Sequence, residues 1–284
     1  MEYYLTFKHS ILFVYFFCIS QTLCAQIGYQ LVGGAQSLGM GGASVMQQNA
    51  ESILHNPAGL VGVTRTSALL TSEIRFGLRD LKPICLAFVK PTSSGVLGFT
   101  FQNYAFEVYR ESKVGVAYAR RLSAKFNVGV QLSYERLKID KYGSTGFVNF
   151  EIGCNSLIFN DLVLSAYVFN PISMKINETE STPSVFRLGL GYTLNSKVLV
   201  CLETEKDRDF PASFKFGLAY KIIESCTVRC GFRTSPTIIS FGFGYAMGKN
   251  LTADFALSNH PYLGATPALS LNYAFGKEGK SSSL

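Results

Sequence analysis

From Thr66 onward, apolar and polar residues alternate with a period of two. Lys125 to Glu135 displays it most plainly: Phe126, Val128, Val130, Leu132 and Tyr134 share one face, and Asn127, Gly129, Gln131, Ser133 and Glu135 the other. The pattern recurs with Phe186, Leu188, Leu190 and Tyr192 opposite Arg187, Gly189, Gly191 and Thr193. It returns with Phe214, Phe216, Leu218 and Tyr220 opposite Lys215, Gly217, Ala219 and Lys221, and with Ile239, Phe241, Phe243 and Tyr245 opposite Ser240, Gly242, Gly244 and Ala246. Successive side chains of a strand point to opposite faces, so each run is a strand with one greasy face and one small or polar face.

Period alone does not separate a soluble sandwich, with its apolar face inward, from a membrane barrel, with its apolar face outward. Three features favour the barrel. The strands run about 9 to 11 residues, the length a tilted strand needs to cross the hydrocarbon layer. Large apolar residues, above all Phe, collect on one face. The chain also opens on an export signal: residues 1–25 carry Lys8 ahead of the apolar run Ile11 to Ile19, with Ala25 at a cleavage point. That run is shorter than the roughly 20 residues of a membrane-spanning helix.

Strands are expected to begin near Thr66, Lys82, Gly95, Ser112, Lys125, Thr145, Leu162, Ser184, Lys197, Ala212, Ser225, Thr237, Leu251 and Thr266. The fold class is therefore an all-β transmembrane antiparallel β-barrel of about fourteen strands. Boundary errors of about two to four residues leave twelve or sixteen open. Longer connections are expected after odd-numbered strands, including Tyr104 to Glu111 and Pro171 to Pro183, with short turns such as Thr92 to Ser94 between them. Short turns face the periplasm in outer-membrane barrels. Tyr192, Tyr220, Tyr245, Tyr273 and Phe275 stand near strand ends, where aromatic girdles meet the lipid headgroups. The domains read as signal peptide 1–25, an N-terminal piece 26–63, barrel 64–276 and polar tail 277–284.

Between signal and barrel lies the only strongly non-repeating stretch, Gly33 to Leu60, GGAQSLGMGGASVMQQNAESILHNPAGL, with six glycines in 28 residues. Its glycine-rich first third can turn sharply and press against another surface, as a tucked-in plug would. Val45 to Leu54 are better helix formers, and Asn56-Pro57 is expected to stop that helix. A nucleotide-binding reading of Gly39-Met40-Gly41-Gly42 fails, because no strand precedes it and no βαβ unit follows. The sequence GAQSLGMGGA followed by NPAGL resembles the N-terminal hatch of FadL-like outer-membrane barrels, in particular the PorV/PorQ type. The resemblance is carried by Gly34, Ser37, Gly39, Gly41, Gly42, Asn56, Pro57 and Gly59; beyond Leu60 only the strand pattern is shared. It implies a non-enzymatic barrel with a small N-terminal hatch in the cell outer membrane. For the PorV/PorQ type it implies an accessory or cargo-handling part in type IX protein secretion, with a translocon component or secreted cargo as partner. That accessory role is the preferred reading; the alternative, implied by FadL-like barrels in general, is passive transport of a hydrophobic ligand released through an opening in the wall.

The net charge of +7 invites a nucleic-acid reading, but the basic residues are scattered singly and read as solvated loop and lumen charges, some meeting anionic headgroups of outer-membrane lipid; no nucleic-acid partner is expected. Cys85, Cys154, Cys201, Cys226 and Cys230, odd in number and dispersed, form no disulfide framework and no zinc motif, so they read as small apolar side chains. Neither metal nor cofactor is implied. His55 and His260 are the only histidines after residue 25. A water-activating pair of His260 with Asp80, Asp207 or Asp209 is weighed against a solvated turn, and the turn is preferred. No catalytic residue is assigned. The inward charges Glu135, Glu151, Arg187, Glu203, Lys215, Arg229, Arg233 and Asp254 are mixed in sign and read as mutually paired, since an unpaired buried charge is costly.

Overall fold

A computed structural model describes residues 31–172 and 181–276. The expected signal segment 1–25, residues 173–180 of the Pro171 to Pro183 connection and the tail 277–284 lie outside the described residues. Fourteen strands follow in chain order: β1 Ser67–Glu73, β2 Ile84–Pro91, β3 Val96–Phe106, β4 Tyr109–Ser123, β5 Phe126–Ile139, β6 Gly143–Phe159 and β7 Leu162–Phe169, then β8 Val185–Leu194, β9 Val198–Asp207, β10 Ser213–Ile223, β11 Cys226–Arg233, β12 Ile238–Met247, β13 Leu251–His260 and β14 Gly264–Ala274. Each pairs antiparallel with its sequence neighbours, and β1 closes on β14 from Ser67 opposite Ala274 to Glu73 opposite Ala268. Closure leaves no sheet edge between first and last strand, which is what a sheet in hydrocarbon requires.

The faces are inverted relative to a soluble protein. Phe241 is 62% exposed while its neighbour Ser240 is 1% exposed, and the same reversal separates Phe216 from Lys215. Large apolar side chains cover the outside, including Phe88, Phe99, Leu132, Leu188 and Phe255. Water would penalise such a belt by roughly 25 cal/mol per Å² of apolar area, whereas lipid does not. Tyr192, Tyr220, Tyr245, Tyr273 and Phe275 are outward and exposed, all near the strand ends that meet the short turns. Phe275 joins the wall through its N–H to the Thr66 carbonyl, 2.7 Å.

Connections 92–95, 124–125, 160–161, 195–197, 224–225 and 248–250 lie at the end where the chain enters β1 and leaves β14. The opposite end carries the longer connections 74–83 and 170–184. Two expectations need correction here. Tyr104 to Glu111 is no loop: β3 and β4 continue through it to a two-residue turn at 107–108. The strands are also less uniform than expected, with β4, β5 and β6 spanning 15, 14 and 17 residues. The reason is visible on their outward faces, which become polar at Arg110, Arg136, Lys138 and Ser144, so the sheet continues beyond the hydrocarbon into water.

Residues 31–63 lie inside the wall. Leu31, Val32, Ile53, Leu54 and Leu60 bury themselves with Leu69, Val89, Val96 and Ala117 of β1–β4. Met40, Ala43, Val45 and Met46 pack with Tyr167, Phe169, Val185 and Cys201 of β7–β9. The local structure differs from expectation. Among the described residues the one α-helix, α1, is Ala35–Gly39 within the glycine-rich part, and Val45 to Leu54 is not an α-helix. Asn49 delays the turn by accepting from Ser52 N–H, so only Ala50–Leu54 form a 3₁₀ turn. Pro57 then starts a second one, Pro57–Gly62, rather than stopping anything, because a proline suits the first helical position once Asn56 caps it.

Arginine at Phe216 or Phe241 is expected to impair membrane insertion by about 2 to 4 kcal/mol near mid-membrane. Leucine at the same positions is expected to be neutral. Heat-modifiable gel migration reads the outcome, and equal migration of the arginine and leucine variants refutes the lipid-facing assignment.

Candidate functional site

The feature to be explained is how a non-repeating segment fits inside a closed sheet. Part of the answer is steric. A Cβ on Gly231 of β11 would overlap the Met40–Gly41 peptide, and one on Gly129 of β5 would overlap the Pro57–Ala58 peptide. Inward glycines thus let backbone meet backbone on widely separated strands. On the segment side, Gly41 has φ +66 and sits against the Phe232 backbone, so a side chain there is excluded on both counts. Gly34 (φ +75) and Gly42 (φ +81) are likewise left-handed. Gly39 faces Gly242, and Gly59 is closed in by Gln47 and Ser52.

The rest of the answer is polar. Glu203 of β9 accepts from the N–H groups of Ser44 and Val45, 2.8 and 2.9 Å, through Oε2. Its Oε1 is held by Arg187 Nε of β8 at 2.7 Å and Lys215 Nζ of β10 at 2.9 Å. Lys215 also donates to Glu205, 2.7 Å, and Arg187 reaches the Gly42 carbonyl and Ser44 Oγ. Arg187 and Glu203 are almost completely buried. Arg233 stands opposite Lys215 in the β10–β11 ladder. A second pair joins Arg229 Nη1 to Asp254 Oδ1 at 2.7 Å, with Gln36 of α1 donating to the other oxygen. A third joins Lys113 to Glu151 at 3.2 Å, where Gln131 and Tyr167 also donate to Glu151. Glu135 accepts from Asn149, 2.9 Å. Asn56 bridges segment and wall through the Val45 carbonyl and Asn155, both 2.8 Å, while its Oδ1 caps Ala58 N–H.

Glu205, Lys113, Glu73 and Glu51 belong to these networks and were not singled out from the sequence. The strand parity that selects Glu203 also selects Glu205 two residues on, and the same rule places Lys113 inward with Gly115 and Ala117. Glu73 accepts from Gly33 N–H at 3.3 Å and from Arg75, whose Nη2 donates to the Leu31 carbonyl. Glu51 had no periodic signal to reveal it. It is 2% exposed, accepts from Ser37 N–H at 3.0 Å and lies 3.1 Å from Ser270 Oγ of β14. Burial pushes its carboxyl up to about 7. Burial likewise holds the His55 imidazole well below its ordinary value, with the Arg187 and Lys215 charges adding to the effect.

His260 ends β13 and is half-buried, paired with Gly264 across the 261–263 turn rather than in the turn itself; its Nδ1 accepts from Tyr262 and Leu263 N–H and its ring meets Phe76 and Tyr262. Among the described residues no group of His, Cys, Asp and Glu is arranged to hold a metal ion. The five cysteines after residue 25 are free thiols. A cavity of about 350 Å³ remains under the segment at the short-turn end, between Met40, Met46, Val163 and Leu199.

Fold and face polarity define an outer-membrane β-barrel of fourteen antiparallel strands. No protein-family model matches the sequence, and no curated protein matches it. Solved structures do. The chain is similar to the toluene transporter TbuX of Ralstonia pickettii, with TM-score 0.70 and 14% identity over 86% of this chain and 98% of that one. It is similar to the monoaromatic hydrocarbon channel CymD, with TM-score 0.69 and 12% identity over 89% and 100%. A FadL homologue of Pseudomonas aeruginosa gives TM-score 0.64 and 12% identity over 86% and 98%. At such identities the likeness is one of fold.

Arg187→Ala removes one of two cations from a buried carboxylate, a loss of about 3 to 5 kcal/mol. The expected result is faster amide exchange at Ser44 and Val45 with heat-modifiable migration retained; unchanged exchange shows that the ion cluster does not hold the segment. Glu51 gives a pH dependence. Its carboxyl rises from an ordinary 4.5 to about 7 when docked, so between those values the docked segment holds a proton that a released one lacks. Docking is therefore strongest at low pH, weakens as pH rises through that window and is level above it. Protease resistance of residues 31–63 should follow this course, and Glu51→Gln should flatten it.

Proposed function

We propose that the chain is a FadL-like, non-enzymatic channel through which hydrophobic small molecules cross the outer membrane passively, with residues 26–63 as its hatch. The observation that carries this reading is the filled lumen. The segment reaches strands all round the barrel and is fastened to the wall by the Glu203 cluster, so an open aqueous pore for bulk polar solutes is a poor fit. Resemblance in fold to a toluene transporter and a monoaromatic hydrocarbon channel supports an apolar solute. The wall itself argues against a standing lateral exit, because its register shifts, after Arg121, Leu157 and Lys221, all lie beside short turns.

A second reading is favoured by one specific observation, the resemblance of Gly34 to Leu60 to the PorV/PorQ hatch. It makes the barrel an accessory of type IX secretion that docks on a translocon or holds cargo, with contacts through its outer connections and rim.

Toluene entry into liposomes containing the purified barrel is expected to exceed that into empty liposomes, and deletion of Gly33 to Leu60 is expected to raise single-channel conductance in planar bilayers. Equal toluene entry overturns the channel reading. Recovery of a large translocon component or of exported proteins by cross-linking in cells, without accelerated toluene entry, establishes the second reading instead.

A further inference from the structure

We propose that the cavity of about 350 Å³ at the short-turn end of the lumen is a binding site for a small, uncharged, amphipathic molecule: a ring or compact apolar body bearing one hydrogen-bond donor. The proposal deepens the channel reading, on which the arrival of such a molecule rests.

The position comes first. Val163 is near the start of β7, Leu199 of β9 and Thr227 of β11, and Thr193 is near the end of β8, so the lining belongs to the periplasmic end. Gln48 is exposed at the mouth, whereas Met40 and Met46 are buried behind it. The space is thus a recess entered from the periplasm and floored by the segment. Its volume lies at the lower end of those of ligand sites. Small wall residues keep it open: Gly191, Ala219 and Thr193 face it where their outward neighbours Leu190, Tyr220 and Tyr192 are large.

The chemistry of the lining sets the ligand class. Met40, Met46, Val163 and Leu199 offer an apolar and adaptable surface, and thioethers make favourable contacts with aromatic rings. Charge is cancelled at its edge, since Arg229 is paired with Asp254 and Asp254 also takes the Gln36 amide. An ionic ligand would bring a net charge to a lining whose own two charges already cancel. One acceptor is left over: the Gln47 side chain lines the cavity, donates weakly to Met40 Sδ at 3.8 Å and leaves its buried Oε1 without a hydrogen-bond partner. A hydroxyl or N–H on the ligand supplies the missing donor once rotation of the Gln47 side chain brings this solvent-shielded Oε1 to the cavity surface. A long-chain carboxylate fits neither the volume nor the charge.

The test uses the purified full barrel and three probes of one shape: the neutral donor naphthol, apolar naphthalene and anionic naphthoate. Naphthol fluorescence is expected to titrate saturably, with naphthoate about tenfold weaker or worse. Ala219→Phe and Thr193→Phe fill the recess from two strands, and each is expected to weaken naphthol about tenfold while heat-modifiable migration stays intact. Gln47→Ala is expected to abolish the preference for naphthol over naphthalene without excluding either. Absence of saturable naphthol binding overturns the proposal. So does unchanged affinity in either filled variant that folds, or, where neither folds, an unchanged naphthol preference in Gln47→Ala. Toluene entry is measured on the same preparations. Entry without naphthol binding removes this site and leaves the channel reading standing, whereas naphthol binding without entry keeps the site and removes the channel.

Discussion

A closed barrel filled by irregular chain must supply, from its own wall, hydrogen-bond partners for backbone groups that no helix or sheet satisfies. Glu203 meets that demand where it is most acute, taking the adjacent N–H groups of Ser44 and Val45 on one carboxylate oxygen. A carboxylate at 4% exposure is tolerable only beside cations, and Arg187 and Lys215 provide them from the strands on either side. Three adjacent strands are thereby committed to one function. Lys215 then takes Glu205 as well, and Arg187 turns its Nη2 to Gly42 and Ser44. The positions of these charges follow from the segment, not from the barrel.

Volume is arranged with the same logic. Bulky side chains that would fill a soluble core are placed outside, as at Phe214, Phe216, Phe241 and Phe243, while the inward positions between them are Lys215, Gly217, Gly242 and Gly244. Such a wall cannot pack against itself across the lumen. Burial is recovered through the segment, whose Ile53 and Leu60 meet β1–β4 and whose Met40 and Val45 meet β7–β9. Segment and wall form one core, divided between a part that spans the membrane and a part that does not.

How much of this was legible in the sequence depended on which force set each feature. Strand number and facing were readable, because a barrel wall sees lipid on one side and packed chain on the other at every residue; starts such as Leu162 and Leu251 fall where the alternation begins. The Tyr104 to Glu111 hairpin was missed because it lies above the hydrocarbon, where the outward face turns polar and a strand resembles a loop. Within the segment, helix propensity misled. Val45 to Leu54 are good helix formers, yet Ser44 and Val45 give their N–H groups to Glu203 and Asn56 claims the Val45 carbonyl, so the wall overrides local preference. Glu51 was illegible for a related reason: its partners, Ser37 and Ser270, are 14 and 219 residues away, and no local pattern encodes the second.

The distribution of charge between wall and segment bears on whether the segment could ever leave. Arg187, Glu203, Glu205 and Lys215 are all on strands, as are Arg229, Asp254, Lys113 and Glu151. Between Leu31 and Val63 the only formally charged side chain is Glu51. What the segment offers the ion clusters is neutral: two N–H groups, a carbonyl, a hydroxyl and a glutamine amide. Had it carried one member of each pair, withdrawal would strand buried charges at about 3 to 5 kcal/mol apiece. Because the pairs are complete within the wall, withdrawal gives up neutral or singly charge-assisted hydrogen bonds, worth about 0.5 to 3 kcal/mol each and replaceable by entering water. The single exception, Glu51, has its carboxyl raised to about 7 by burial and can dock as the neutral acid. A segment built this way is held firmly enough to fill the lumen, yet its departure leaves behind a wall whose ion pairs are still closed.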